Sequence, residues 1–439
     1  MDITSIVFAT LLGTILGGFL FWIPGLRFLS IFAVLLSNVS IVQWSGSNPE
    51  IIFVFFMALT VSSSFAGIIP AFFFGAPSAS TLFLVVPGKR FLNRGCSYQG
   101  SMTVGWGSLM GIFLLVAAAP FFLYLYTPLF KLIRVHYRWV PGILIIYMIG
   151  GEFLFHLRRA LFSKKKYEFR ALFIAPVLFI LTGLFGVILF DQRKFAIVNS
   201  QGILASALAG LFFLPPLIRR LMEPVESIPA EKNTPVFKEK KYGLLGGIAG
   251  GIGGFLTLLI PVISAGIGAL IAGHLIPRKK EKAFLISQGM VKTFYSAGAF
   301  LLFFIPAWAF KRGATAALLK TRFHADRTLQ SFIIIVAVML ISGCLSYFIL
   351  GLTSRMARGI VRKVTLRKLS IVIISLVTAI ILFRYGPEYL LFLFTGACLG
   401  SLPMVFGCRR SNTFAVILLP MLLFVTDWYR PVINFLGFF

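Results

Sequence analysis

The sequence predicts an all-α polytopic integral membrane protein, with about 11–12 transmembrane helices in two homologous halves that carry broken helices and re-entrant segments. Three observations predict it. First, 59% of the residues are hydrophobic and only 12% are charged, with a mean hydropathy of +0.95; a water-soluble domain carries about a quarter charged residues. Second, apolar runs of about 20 residues recur along the chain, the length that crosses a bilayer as helix. Third, short motifs in the first half return in order in the second. The period-2 alternation of an outer-membrane barrel is absent from the sequence.

The net charge of +28 does not read as nucleic-acid binding. The basic residues gather in short loops between apolar runs, as the positive-inside rule requires. The most basic stretches are 157–168, 218–241 and 353–368, the last with Arg355, Arg358, Arg362, Lys363, Arg367 and Lys368. These are placed on the cytoplasmic side, facing anionic lipid. The 37–50 stretch, with Glu50 as its only charge, is placed outside. Trp44, Trp139 and Trp428 stand near segment ends, as interfacial anchors do. The first apolar run has no basic leader and exceeds a signal core, so it is read as a retained helix. A multi-pass protein of the cytoplasmic membrane follows.

The apolar segments run over 6–36, 51–74, 101–126, 139–155, 169–190, 196–217, 242–276, 283–310, 331–352, 369–383, 389–406 and 413–428. A Gly/Pro/Ser-rich piece at 75–87 is too short to cross and reads as re-entrant or extended, a backbone tolerated only where protein or water satisfies it. A polar, cytoplasmic linker at 219–241 separates a first repeat, 1–218, from a second, 242–439. Gly17-Gly18-Phe19-Leu20 ahead of Pro24 returns as Gly253-Gly254-Phe255-Leu256 ahead of Pro261. Ile69-Pro70-Ala71 returns as Ile305-Pro306-Ala307, and Gly75-Ala76 as Gly313-Ala314, all at nearly one offset. Whether the repeats are inverted or parallel stays open.

Paired breaks point to a solute site. Proline removes a helix N–H and clashes with a preceding carbonyl, and glycine lets the chain unwind. The freed groups and half-helix dipoles grip ions and anions near the bilayer centre. The candidate substrate-binding residues are therefore Pro24, Gly25, Arg27, Ser62, Ser64, Gly75, Ser78, Ser80, Pro261, Ser264, Thr293 and Ser296. Arg27 sits three residues after Pro24, where a guanidinium can fork onto a carboxylate or phosphate. Lys292 flanks the second-half motif, and a cation at membrane depth is costly. Each hydroxyl also has a plainer use, bonding back to its own helix, and the glycines also permit close helix packing.

Other chemistry finds little support. Cys96, Cys344, Cys398 and Cys408 have no metal or redox spacing. His136, His156, His274 and His324 are scattered, and none has a helical-spacing partner that would make a zinc site. Glu152, Asp191, Glu388 and Asp427 stand near segment ends, so no central proton relay is evident. No cofactor is expected; as coupling ion, sodium on carbonyls and hydroxyls fits better than protons. There is no Ser-His or Cys-His pair and no nucleotide loop, which argues against an enzyme.

At these motifs the chain resembles the TctA-type permease family, the large membrane subunit of tripartite tricarboxylate transporters, in its shorter, divergent archaeal-type branch. The resemblance is carried by Ile23-Pro24-Gly25-Leu26, Ile69-Pro70 with Phe74-Gly75-Ala76-Pro77, Val86-Pro87-Gly88-Lys89-Arg90, Gly243-Leu244-Leu245-Gly246-Gly247, and Leu402-Pro403 with Gly407-Cys408-Arg409-Arg410-Ser411. It implies a secondary carrier of two related halves for a carboxylate. It also implies a small membrane subunit and an extracytoplasmic binding protein as partners, though the divergent branch need not use them; a homodimer is compatible with it. The family's first signature continues Pro-Gly-Leu-Gly-Pro, where this chain has Pro24-Gly25-Leu26-Arg27-Phe28, and Pro261 is followed by Val262 rather than glycine. Those glycines shape the substrate loops, so the departure bears on the substrate more than on the fold. The expected function is secondary active transport of an organic anion. The alternatives are a polyprenyl-phosphate or other lipid-handling membrane protein, and a non-transporting scaffold.

Overall fold

The computed structural model describes residues 3–22, 49–163, 166–190, 200–224, 228–232, 240–277, 279–305, 328–435 and 437. Among these the regular structure is helical throughout, without strands. The helices are α1 (Ile3–Leu20), α2 (Pro49–Ala66), α3 (Ile68–Phe72), α4 (Val85–Asn93), α5 (Ser97–Ala117), α6 (Ala119–Tyr124), α7 (Tyr126–Arg134), α8 (Val140–Ser163), α9 (Lys166–Phe190), α10 (Ser200–Leu208), α11 (Leu214–Met222), α12 (Lys240–Leu259), α13 (Ala265–His274), α14 (Glu281–Leu301), α15 (Leu329–Lys363), α16 (Leu366–Tyr385), α17 (Glu388–Val405), α18 (Ala415–Val425) and α19 (Tyr429–Phe435). Tight 3₁₀ turns at Ala79–Leu84 and Arg410–Phe414 precede α4 and α18. Ten helices among the described residues are long and apolar enough to cross a membrane, or eleven if the bent pair Arg410–Val425 and Tyr429–Phe435 is one span. This is a multi-pass helical membrane protein. α14, which carries Glu281, Lys282 and Lys292, is not among the ten.

The chain forms two compact units, and each draws on both sides of the linker. One comprises Met1–Lys131 with Val225–Leu369, the other Leu132–Pro224 with Ser370–Phe439.

In the first unit α1 packs along α2, and α12 packs along α14. α5 lies on α14, α15 lies on α2, and α5 and α15 touch each other. Small residues make these approaches possible, as bilayer-embedded helices require, since lipid supplies no hydrophobic drive between them. A Cβ on Gly13 would fall 2.5 Å from Phe55 O, and one on Gly17 2.6 Å from Leu59 O. On the other side, a Cβ on Gly246 would fall 2.6 Å from Ala283 O. Hydroxyls bind the same seams: Ser62 Oγ donates to Thr14 O at 2.7 Å, and Thr14 Oγ1 meets Ser342 Oγ at 2.9 Å. The more polar α14 is thereby held among α2, α5 and α12.

In the second unit α9 packs against α8 and α18, while α17 packs against α10 and the π-turn Ala209–Phe213 that follows it. Gly396 fits against Ala207 O, where a Cβ would come within 2.5 Å. The 410–414 turn lies against α9 and α17, and Arg410 Nη2 donates to Phe212 O at 2.9 Å.

Candidate functional site

The sequence-predicted site residues fall mostly in the first unit. At Gly67 the helix only loosens: its N–H still donates to Ser63 O at 3.0 Å, and Glu50–Phe72 runs on as one span. One turn of helix, α3, follows, and Ala76 N closes back on Pro70 O at 2.8 Å. Gly75 turns the chain with φ +62°, a left-handed conformation that glycine adopts without Cβ strain. Residues 74–78 are non-helical, and the 79–84 turn then leads into α4. The short 75–87 piece is therefore not a continuous span: α3 and α4 pack against each other as a hairpin, with Gly88 against the Phe72 backbone. Residues 71–77 are buried inside protein, which is what an irregular backbone at membrane depth needs.

The second break is also present. α12 ends at Leu259, the chain turns through Pro261, and Ser264 caps the new helix α13 by accepting from Ile267 N at 3.4 Å. α13 packs against α12, α14 and the 79–84 turn, where Phe83 meets Ala269, Ala272 and Val291. The hairpin and the Pro261 break are thus neighbours in one unit. Pro24, Gly25 and Arg27 lie outside the described residues, so the pairing of Pro24 with Pro261 does too.

The hydroxyls divide by role. Ser62 Oγ holds α1, as described above. Ser64 Oγ donates to Val61 O at 2.6 Å, Thr293 Oγ1 to Gly289 O at 3.1 Å, and Ser296 Oγ to Lys292 O at 2.9 Å. These three bond back to their own helices. Ser78 and Ser80 meet at 2.9 Å at the tip of the hairpin, and Ser78 is exposed there.

Lys292 was noted in the sequence only as a flanking charge, and the structure gives it the central place. It stands midway along α14, and its Nζ lies against Gly67, 2.7 Å from where a Cβ on that glycine would be. In two otherwise buried stretches, the partly open positions are Ser63 on α2, Gly67 between α2 and α3, and Lys292, Tyr295 and Ser296 on α14. Spacings of three and four residues put each set on one helix face. No carboxylate among the described residues pairs with Lys292. The result is a partly open face beside Gly67 that presents the Lys292 side-chain nitrogen and the hydroxyls of Ser63, Tyr295 and Ser296. Its chemistry suits an anion.

The rim of this unit is pinned by charge. Arg90 Nη1 on α4 and Arg94 Nη1 at its C-cap reach the two oxygens of Glu281 at 2.8 and 2.7 Å. Burial alone would raise the Glu281 carboxyl, but the two guanidinium hydrogen bonds outweigh it and hold it below the usual carboxylate value. Nearby, the linker piece 228–232 docks on the α4–α5 corner. Glu231 accepts from Ser97 Oγ at 2.8 Å and Tyr98 N at 2.7 Å, and Lys232 N donates to Gly95 O at 2.7 Å.

The model of the Tripartite tricarboxylate transporter TctA family matches residues 7–414, nearly the whole chain. The chain belongs to the TctA family. An uncharacterized protein of Methanocaldococcus jannaschii is 22% identical over 434 residues, covering 97% of this chain and 99% of that protein. No solved structure matches the chain. As a TctA-family protein it is a membrane component of a transporter rather than a member of an enzyme family.

One sequence expectation is corrected in the second unit of this TctA-family chain. No histidine was expected to have a helical-spacing partner that would make a zinc site, and no Cys-His pair was expected. Glu152 and His156, one turn apart on α8, lie 3.2 Å apart, and Cys408 joins them with all three ligand atoms within 4.8 Å of one another. Cys408 is remote in sequence, which is why spacing did not reveal it. Nor is Glu152 at a helix end: α8 continues to Ser163.

Proposed function

We propose that this chain is the membrane permease that carries an organic carboxylate across the cytoplasmic membrane by secondary active transport, and that Lys292 binds the carboxylate. The observation that supports this reading is Lys292, set mid-helix on α14 with its Nζ against Gly67, ahead of the Gly75 turn. A charge held there is expensive unless a counter-charge arrives, and a substrate carboxylate supplies one. Ser63 and Ser296 beside it now donate to Thr60 O and Lys292 O of their own helices; in this reading they turn to donate to the substrate's oxygens when it binds.

The matched pairings α1–α2 with α12–α14, and α5–α14 with α15–α2, support two related halves, 1–218 and 242–439, joined by the 219–241 linker. In this reading the breaks at Gly67–Gly75 and Pro261 are the mobile gates, and sodium on freed carbonyls and hydroxyls is the coupling ion. A small membrane subunit and an extracytoplasmic binding protein are the partners the family implies, with a homodimer as a compatible assembly.

The test is carboxylate uptake by the chain in proteoliposomes, with and without a sodium gradient and with any partner subunits added. Lys292→Gln should cut uptake by roughly 10- to 100-fold, the worth of one charge-assisted hydrogen bond, and Lys292→Arg should restore part of it. Unchanged uptake in Lys292→Gln removes the assignment. Thermal stabilisation by isoprenoid phosphates, with none by small carboxylates, would point to lipid handling instead.

A further inference from the structure

We propose that Glu152, His156 and Cys408 form a structural site for a zinc-class divalent ion in the second unit, independent of the transport site. The ligand set is the first ground. A thiolate, an imidazole and a carboxylate together favour a borderline-soft ion over magnesium or calcium. Their donor atoms lie within 4.8 Å of one another; bond lengths of about 2.0–2.3 Å place tetrahedral neighbours about 3.3–3.8 Å apart. Cys408 sits in the non-helical stretch between α17 and the 410–414 turn, where a small adjustment closes the remaining gap.

The second ground is what the site leaves unsatisfied. Glu152 is 2% exposed and His156 1%, so neither carries its polar atoms to solvent. Asn412 Nδ2 is buried without a hydrogen-bond partner, and Glu152 Oε2 has no hydrogen bond but only the Arg409 Nε ion pair at 3.4 Å. With His156 they line a small, partly open cavity of about 10 Å³, which has room for one water-sized occupant and lies beside Cys408's ligand partners rather than on Cys408 itself. The unpartnered Asn412 Nδ2 beside a small cavity is what a metal-bound water would satisfy. Asn412 would donate to that water as fourth ligand.

Zinc with one thiolate and one carboxylate is neutral. Arg409 then serves as an outer partner that orients the ligand, as metal-bound carboxylates require: its backbone N donates to Glu152 Oε1 at 2.6 Å, and its Nε stands 3.4 Å from Oε2. The ion would tie the Gly407–Ser411 motif to α8 across more than half the chain's length. Such a tie stabilises because the ligands are not gathered in the unfolded chain.

The test uses the purified full chain, reduced, in detergent. Zinc should bind at about one equivalent and raise the melting temperature, and cobalt in its place should give the near-ultraviolet charge-transfer absorption of a thiolate ligand. Cys408→Ser should lose that absorption, and His156→Gln should weaken binding at least tenfold, while His136→Gln, an exposed histidine, should match wild type. If the variants do not fold, the wild-type cobalt spectrum decides alone. Absence of bound zinc in wild type, or a cobalt spectrum without thiolate character, overturns the proposal. Neither outcome touches the Lys292 reading, which uptake measures.

Discussion

Lys292 Nζ occupies the space beside Gly67 so closely that a methyl group on that glycine would stand 2.7 Å from it. The other near atom, Ser63 O at 3.2 Å, belongs to fixed helix backbone, so the ammonium is the part that must move. Gly67 has φ −67°, which alanine adopts freely. Gly67→Ala should therefore displace the ammonium at little cost to the fold. The expected result is a rise in the KM for carboxylate uptake of roughly tenfold, about 1.4 kcal/mol, with a melting temperature close to wild type. A large fall in melting temperature at unchanged KM would make the contact merely structural.

Glu281 supplies a pH test at the rim. Its folded-state carboxyl is held below its ordinary value by Arg90 and Arg94, after burial has pushed the other way. A depressed folded value contributes stability that is present above the unfolded carboxylate range and is lost as pH falls through the folded value. The arginine side chains are more than half exposed, so solvent screening limits the pair to about 1 kcal/mol. Glu281→Gln should lower the melting temperature slightly at neutral pH and by less as the pH drops below the carboxylate range. A constant difference across that range would assign the effect to packing.

How much of this was legible beforehand depends on distance along the chain. Hydropathy located the spans but cut them short where basic residues begin. The run at 331–352 belongs to α15, which continues as one helix through Arg355, Arg358 and Arg362 to Lys363, because arginine and lysine are good helix formers though poor lipid partners. The same shortening put Glu152 at a segment end when it lies inside α8. The Pro261 break and the Gly75 turn were readable because proline and glycine act locally. The seat of Lys292 was not, since nothing in its neighbours names Gly67 as its contact, and Cys408 gives no local hint of His156. Ser64, Thr293 and Ser296 bond back to their own helices, the plainer use that composition alone could not separate from ligation.

The linker holds a further prediction. Glu231 caps the start of α5 through Ser97 Oγ and Tyr98 N, at the positive end of the helix dipole. Gly95, at φ +68°, leaves room for Ala230 O against the same corner. Glu231→Gln keeps the shape but removes the charge, at a cost of roughly 1 kcal/mol. The 228–232 piece should then open more often, and trypsin should cut after the exposed Lys232 several-fold faster under native conditions. Equal cleavage rates would mean the linker is held by its backbone bond to Gly95 alone.

The α5–α14 crossing is the contact on which the Lys292 seat depends, because it fixes α14 in the middle of the first unit. Gly107 rests on the Ile286 carbonyl and Gly289 on the Val104 carbonyl, a reciprocal pair in which each glycine admits the other helix's backbone. Ser108 Oγ adds a hydrogen bond to Gly289 O at 3.1 Å. Neither carbonyl can retreat as a side chain would, so a Cβ at either place must push the helices apart. Gly107→Ala or Gly289→Ala should each destabilise by about 1–3 kcal/mol, the usual cost of overfilling a packed contact. The two substitutions act on one interface, so the double variant should lose less than the sum once the first has opened the gap. Thermal melts of the purified single and double variants measure this. Strict additivity would show that the two glycines sit at contacts that yield independently, and α14 would then lack the rigid seat that carboxylate binding at Lys292 requires.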